Sequence, residues 1–328
     1  MKLSKKKGNL LFSKKRSIRG LWSIRLGVIL IIITVGSLAF YFERGLTVAD
    51  TPLKNIGIRN QKDIQATGGN IQTINSNAQG IDILKGNLDN YIKNLNGKYG
   101  IYFYNLTNGD EFGINDEEVF TAASTIKIPL NLYLYTKIKS GSVNPEETLT
   151  YLQEDYEEGT GEIQNENFGK TYSVKELSRL SIVSSDNVAA NMLFRFLDKS
   201  SVKDYMREVG GTVVDNNQNI SCPKDMGLYM KLVYEFYMNE GSLGKELMDN
   251  FLNTEFNDRI PVMLPQTVKV AHKIGTEIGV VNDVGIVFAD TPYIISVMSK
   301  DVDENESQGV IANISKKVYD FVSGKPGM

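Results

Sequence analysis

Hydrophobic and polar positions divide the chain into stretches of different rhythm. From Leu26 to Phe42 the run LGVILIIITVGSLAFYF contains no charged residue. Its length is at the lower end of what spans a bilayer core of roughly 30 Å. Trp22 and Tyr41 lie near its ends, where interface aromatics collect. Residues 43–79 are rich in Asn, Gln, Gly, Thr and Ser, with isoleucines at no clear period, and are expected to form a flexible tether. A folded domain is expected over residues 80–325.

Inside that domain the period changes twice. Ile81, Leu84, Leu88, Tyr91 and Leu95 recur at helical spacing. Ile101 to Tyr104 is β-branched and aromatic, a strand signature, and Asn108-Gly109 marks a hairpin turn leading to a return strand over Glu111 to Ile114. From Ser124 to about Tyr237 the pattern is helical. The segment opening at Ser124 is apolar on nearly every side, which predicts a helix buried in the middle of the domain. Val174 to Val183 and Val188 to Leu197 predict two more helices. Strand character returns at Val268 to Lys273, Val280 to Phe288 and Tyr293 to Met298, and an amphipathic helix follows with Val310, Ile311, Ile314, Val318 and Phe321 on one face. Strands at both ends and helices between them predict an α+β fold. It comprises one antiparallel five-stranded sheet flanked by the terminal helices, with an all-helical lobe on the other face.

Charge and cysteine content refine this picture. Residues 1–25 hold nine lysines and arginines (Lys2, Lys5, Lys6, Lys7, Lys14, Lys15, Arg16, Arg19, Arg25) and no acid, whereas the whole chain carries a net charge of -3. A basic arm can bind nucleic acid, but one that runs straight into an apolar segment fits a cytoplasmic flank better, so no nucleic-acid partner is expected. The expectation is a single-pass cell-membrane anchor over 26–42, with everything beyond it extracytoplasmic. The alternative is a cleaved signal peptide. Ser37-Leu38-Ala39 would serve as the cleavage site, although Phe40-Tyr41-Phe42 continues the apolar run past it. With one cysteine, Cys222, and one histidine, His272, neither an intramolecular disulfide nor a zinc site of the usual kind is supported, and no metal or cofactor is expected.

Three short segments could carry chemistry. In Ser124-Thr125-Ile126-Lys127, a spacing of three on a helix puts the lysine beside the serine. An apolar setting makes its ammonium easier to deprotonate, and a helix N-terminus offers N–H groups to an oxyanion. Ser124 could equally be a helix cap, and the same pattern recurs at Ser4/Lys7 and Ser200/Lys203. What favours chemistry is that Lys127 sits at the start of the most apolar helix, where a lysine is costly. In Ser185-Asp186-Asn187 a hydroxyl could relay a proton and an amide could hold a substrate amide; polar loop chemistry is the plainer reading. In Lys273-Ile274-Gly275-Thr276 the lysine offers positive charge, Gly275 permits close backbone approach, and the Thr276 N–H could donate to an oxyanion; an ordinary strand end is the alternative.

Taken together and in this order, the three segments resemble the S-x-x-K, S-D-N and K-T-G set of class A β-lactamases and penicillin-binding proteins. The stretches FTAASTIKIPLNLYLYTKIKSG, TYSVKELSRLSIVSSDNVAANMLF, RIPVMLPQTVKVAHKIGT and VVNDVGIVFADTPYIISVMSKD are similar to the class A family as well, so the resemblance covers roughly residues 80 to 325. It implies that Ser124 is the acylated nucleophile, Lys127 its proton acceptor and Ser185 a proton relay to the departing nitrogen. Asn187 would bind the substrate amide and Lys273 the substrate carboxylate. Gly275 and Thr276 would border the substrate, with the N–H groups of Ser124 and Thr276 forming the oxyanion hole. The implied partner is a β-lactam or a peptidoglycan peptide, bound by a monomer.

Two departures from the family pattern matter. Ile274 stands where the family has Thr or Ser, which should weaken carboxylate binding by about 1–3 kcal/mol unless Thr276 substitutes. The loop over Gly210 to Met226 is short and has no Glu to activate a deacylating water. Asp215, Asp225 and Glu162 are the available carboxylates nearby, and Asp225 suits a structural role at the next helix. Slow deacylation is therefore expected. His272 precedes Lys273 on a strand and should face away from the site, against a Ser-His-Asp arrangement. A β-lactamase, a D,D-peptidase acting on cell-wall peptide, and a non-catalytic β-lactam sensor remain as readings.

Overall fold

The computed structural model describes residues 79–324. The basic tail and apolar run expected over 1–42, and all but the last residue of the tether, lie outside the described residues. Among the described residues no helix is long and apolar enough to cross a membrane.

Helix α1 (residues 79–93) leads into β1 (Lys98–Asn105), β2 (Glu111–Ile114) and β3 (Phe120–Thr121). A 3₁₀ turn at Ala123–Ile126 runs straight into α2 (Lys127–Lys139). The helical lobe continues through β4 (Thr148–Thr150), β5 (Thr171–Ser173), α3 (Val174–Val183), α4 (Asn187–Leu197), α5 (Lys199–Glu208), β6 (Ile220–Ser221), α6 (Pro223–Asn239) and α7 (Gly241–Leu252). The chain then returns to the sheet as β7 (Lys269–Glu277), β8 (Val280–Phe288) and β9 (Tyr293–Lys300), and ends in α8 (Glu304–Val322).

The five-stranded sheet has the order β2-β1-β9-β8-β7 and is antiparallel throughout. Its first hairpin turns where Asn108-Gly109 predicts: Gly109 has φ +78° and its N–H donates to the Asn105 carbonyl at 2.9 Å. Both faces of the sheet are apolar, and the alternation along β9 shows how. Tyr293, Ile295 and Val297 point into the core shared with Leu84, Leu88 and Ile92 of α1 and Ile311, Ile314 and Val318 of α8. Ile294 and Met298, one residue out of phase, join the core of the helical lobe around α2. Side chains of a strand alternate between faces, so a strand apolar at both parities must be covered on both sides. The α+β fold expected from the sequence is the fold observed.

Within the lobe, α2 is buried on nearly every side, with Ile128, Leu130, Leu132, Leu134 and Tyr135 all in the core. Pro129 falls in its first turn, where no intrahelical N–H is lost. Asn131 ties α2 to α3, donating to the Lys127 carbonyl (2.7 Å) and to Ser181 Oγ (3.0 Å) and accepting from Ser178 Oγ (2.7 Å). This buried network pins the start of α2 against the lobe.

Candidate active site

The three sequence segments converge on one cleft of about 350 Å³, lined by Ser124, Lys127, Asn187 and Thr276 among others. Ser124 lies in the 3₁₀ turn that begins at Ala123, whose φ of +47° turns the chain sharply out of β3. In a 3₁₀ turn residues three apart stack over one another, so Lys127 Nζ reaches Ser124 Oγ at 3.0 Å. The spacing of three thus acts through a tighter turn than an α-helix. Asn282 of β8 anchors that turn, donating to the carbonyls of Thr121 (2.9 Å) and Ala122 (3.2 Å).

Lys127 is 3% exposed. Besides Ser124 Oγ, its Nζ contacts the Ser185 carbonyl (2.7 Å), Asn187 Oδ1 (2.8 Å) and, more distantly, Ser185 Oγ (3.4 Å). Burial pulls its pKa down to about 8, although the charges of Glu157 and Asp186 favour the ammonium. A lysine so placed can act as a base toward a hydroxyl within hydrogen-bond reach.

Ser185, between α3 and α4, adopts φ +54° and is buried. Its Oγ takes a 2.8 Å hydrogen bond from Lys273 Nζ, so one hydroxyl is bracketed by two lysines. Lys273 is wholly buried, and its pKa lies well below the usual lysine value because of burial and then the nearby Lys127 charge. It reaches the site through Ser185 rather than lining the cleft, and its other bond goes to the Ile274 carbonyl (2.9 Å). Asp186 has a structural task. It caps α4, accepting from Ala189 N at 2.8 Å, and accepts from Ile163 N at 3.0 Å, which fastens the 159–163 loop to the rim. Asn187 is left with its amide at the cleft, its Oδ1 held by Lys127.

On the opposite wall, β7 runs directly against the serine turn. A Cβ added to Gly275 would lie 2.9 Å from the Ala122 carbonyl oxygen and 3.0 Å from Ser124 N. That proximity brings the backbone at Gly275 beside the Ser124 N–H. Thr276 lines the cleft, and its Oγ1 accepts from Arg259 Nη2 at 2.6 Å. Ile274 is buried.

His272 faces away from the serine, as its place on the strand predicts. It is fully buried, with Nδ1 at 2.9 Å from Asp283 Oδ1 and Nε2 at 3.2 Å from Asn257 Oδ1. On the short loop, Asp215 takes the N–H groups of Asn217 and Gln218, both at 2.8 Å, and Asp225 takes those of Thr212 (2.8 Å) and Val213 (2.6 Å). Both carboxylates are spent on the backbone.

Two functional candidates escape sequence reasoning. Glu157, not Glu162, is the carboxylate of the 156–162 loop that lines the cleft, where its Oε2 accepts from Asn191 Nδ2 at 2.8 Å. Arg259 is 1% exposed and binds the Gly275 carbonyl (3.2 Å), the Asn282 carbonyl (2.7 Å) and Thr276 Oγ1. It lies in RIPVMLPQTVKVAHKIGT, but its distance along the chain from Thr276 gives no sign that they touch.

Comparison with known proteins shows the family. A family model described as the β-lactamase enzyme family matches residues 83–322. The chain is 24% identical over 284 residues to β-lactamase VEB-1 of Pseudomonas aeruginosa, covering 76% of this chain and 93% of that one. Among solved structures it is similar to PBP-A, with a TM-score of 0.70 and 27% identity over 74% of this chain and 96% of the other. A mutant of PBP-A solved as an acyl-enzyme complex with penicillin G matches at TM-score 0.70 and 26% identity, covering 74% of this chain and 97% of that one.

Proposed function

Because the chain belongs to the β-lactamase enzyme family and is a serine hydrolase of that type, we propose that it forms an acyl-enzyme on Ser124 with β-lactams and releases it slowly. The observation that carries this reading is Lys127 Nζ, buried and 3.0 Å from Ser124 Oγ. Neutral Lys127 takes the Ser124 proton as Oγ attacks the lactam carbonyl carbon. The carbonyl oxygen becomes an oxyanion facing the N–H groups of Ser124 and Thr276. When the C–N bond breaks, the proton passes to the departing nitrogen through the Ser185 hydroxyl. Asn187 holds the amide of the acyl arm. Thr276, backed by the buried Arg259, supplies the hydroxyl for the substrate carboxylate, and Lys273 acts from behind Ser185.

Slow release is supported by the short loop over 210–226, whose two aspartates are occupied by backbone N–H groups. The same observation favours a second reading, a penicillin-binding D,D-peptidase acting on peptidoglycan peptides. An extracytoplasmic domain on a single-pass anchor suits that substrate, and the basic flank and apolar run of residues 1–42 support it.

Intact mass of the full chain mixed with benzylpenicillin, beside Ser124→Ala, tests the proposal. The expected result is a mass increase equal to the drug that persists and that the variant lacks. A transient adduct with many turnovers would overturn slow release. No adduct at all would overturn the acyl-enzyme reading.

A further inference from the structure

Lys199 and Lys203 stand one turn apart on α5, hence on one face, and both line the cleft that holds Ser124, beside Gln218 and Asn219. Lys203 is 1% exposed. A buried ammonium ordinarily has a carboxylate or a full set of acceptors, because desolvation is otherwise uncompensated. Lys203 makes one long hydrogen bond, 3.3 Å to the Gln218 carbonyl oxygen. The charges acting on it are Lys199 and Arg207, which oppose its ammonium, and Asp215, which favours it. Asp215 is already engaged with two backbone N–H groups, and Arg207 with Asp204 at 2.8 Å. The two carboxylates lining the cleft, Glu157 and Glu277, are not among these charges, and Glu157 is held by Asn191. Among the described residues the cleft wall on the α5 side therefore carries two cations and lacks an anion to match them.

We propose that Lys199 and Lys203 form an anion subsite that holds a carboxylate on the acyl arm of the substrate. The subsite rests on the acyl-enzyme reading for its orientation. Thr276, backed by Arg259, occupies the β7 side of Ser124, and Asn187 and the lysine pair occupy the lobe side. A substrate lying across Ser124 thus meets the Arg259-backed Thr276 hydroxyl at one end and the lysine pair at the other. The natural ligand is then an acidic peptide or amide rather than one with an apolar arm. Occupation of the subsite would supply Lys203 with the partner it lacks and favour its ammonium, whose pKa burial lowers to about 8.

The probe is a pair of penicillins: benzylpenicillin and its α-carboxy derivative, which differ by one carboxylate on the acyl arm. The second-order acylation rate of the full chain is measured for each. The expected ratio favours the carboxylated compound by about tenfold, the scale of one charge-assisted contact, and shrinks as salt is added. Lys203→Met should bring the ratio toward one. Lys199→Glu, at an exposed position where refolding is not at issue, should bring it below one. A ratio near one in the unmodified chain, or an unchanged ratio in both variants, would overturn the subsite. If neither compound acylates Ser124, the acyl-enzyme reading fails and calorimetric binding of the same pair decides the subsite on its own. Tighter, Lys203-dependent binding of the carboxylated compound supports it; equal binding, or none, overturns it.

Discussion

At the scale of single residues, the site depends on lysines kept out of water. Lys127 can accept a proton only when neutral, and burial lowers its pKa to about 8. The acylation rate should therefore rise about tenfold per pH unit below pH 8 and level off above it. Stopped-flow acylation between pH 6 and 10 checks this, and a flat profile would remove Lys127 as the base. Lys127→Met should lose about 10²–10⁴-fold in rate together with the pH dependence. His272 offers the opposite test. Its ring is spent between Asp283 and Asn257, so His272→Ala should cost about 2–4 kcal/mol in denaturant unfolding through the cavity and the hydrogen bond lost by the buried Asp283 carboxylate, which keeps the Ile260 N–H. The folded variant should still acylate Ser124; loss of acylation in well-folded protein would mean the histidine has a chemical role. The directions of Lys273 and His272 were legible in the sequence because strand parity alone separates them. The roles of Glu157 and Arg259 were not, since a polar residue in a loop carries no mark of which way it faces.

Elements position these residues by close approach. Strand β7 touches the serine turn at Gly275, where a methyl group would stand within 3.1 Å of the Ala122 carbonyl oxygen, Ser124 N and Ala123 Cβ. Gly275→Ala must push β7 away from Ser124, and the expected loss of acylation is about 10–100-fold with the melting midpoint little changed, since geometry at the oxyanion position is what suffers. Acylation at the unmodified rate would show that the contact does not matter to the reaction. The sequence predicts these elements unevenly. The sheet strands, α2, α3, α4 and α8 follow from period and turn chemistry. Helix α7 lies beyond the expected helical stretch, which ends near Tyr237, and α5 has a polar composition with few buried positions. The two-residue partners β3 and β6 are too short for any period to show; they pair because the loop before α6 folds back on the serine turn, Asn219 accepting the Ala122 N–H at 2.8 Å.

For the molecule as a whole, burying lysines ties stability to pH. The folded-state pKa values of Lys127 and Lys203 are about 8, against an unfolded value of about 10.4. Between those values the unfolded chain binds more protons, so stability increases with pH across that window. Tyr102, Tyr135 and Tyr229 are held above their ordinary value, chiefly by burial, so above about pH 10 the unfolded tyrosines release protons first and stability falls. Calorimetry should show a melting midpoint that rises from pH 8 to about 10 and then declines, with a shallower rise in Lys203→Met. A steady decline from pH 7 would contradict the buried lysines. By itself the sequence determined the α+β layering, the antiparallel sheet of five strands and the three chemical segments, because those depend on period, turn residues and order along the chain. Only the tertiary structure decided that Ser185 lies between two lysines, that Arg259 stands behind Thr276, and that Lys199 and Lys203 face the cleft. Each is a meeting of groups distant in sequence or buried by neighbours from another element, and local physics cannot set such distances.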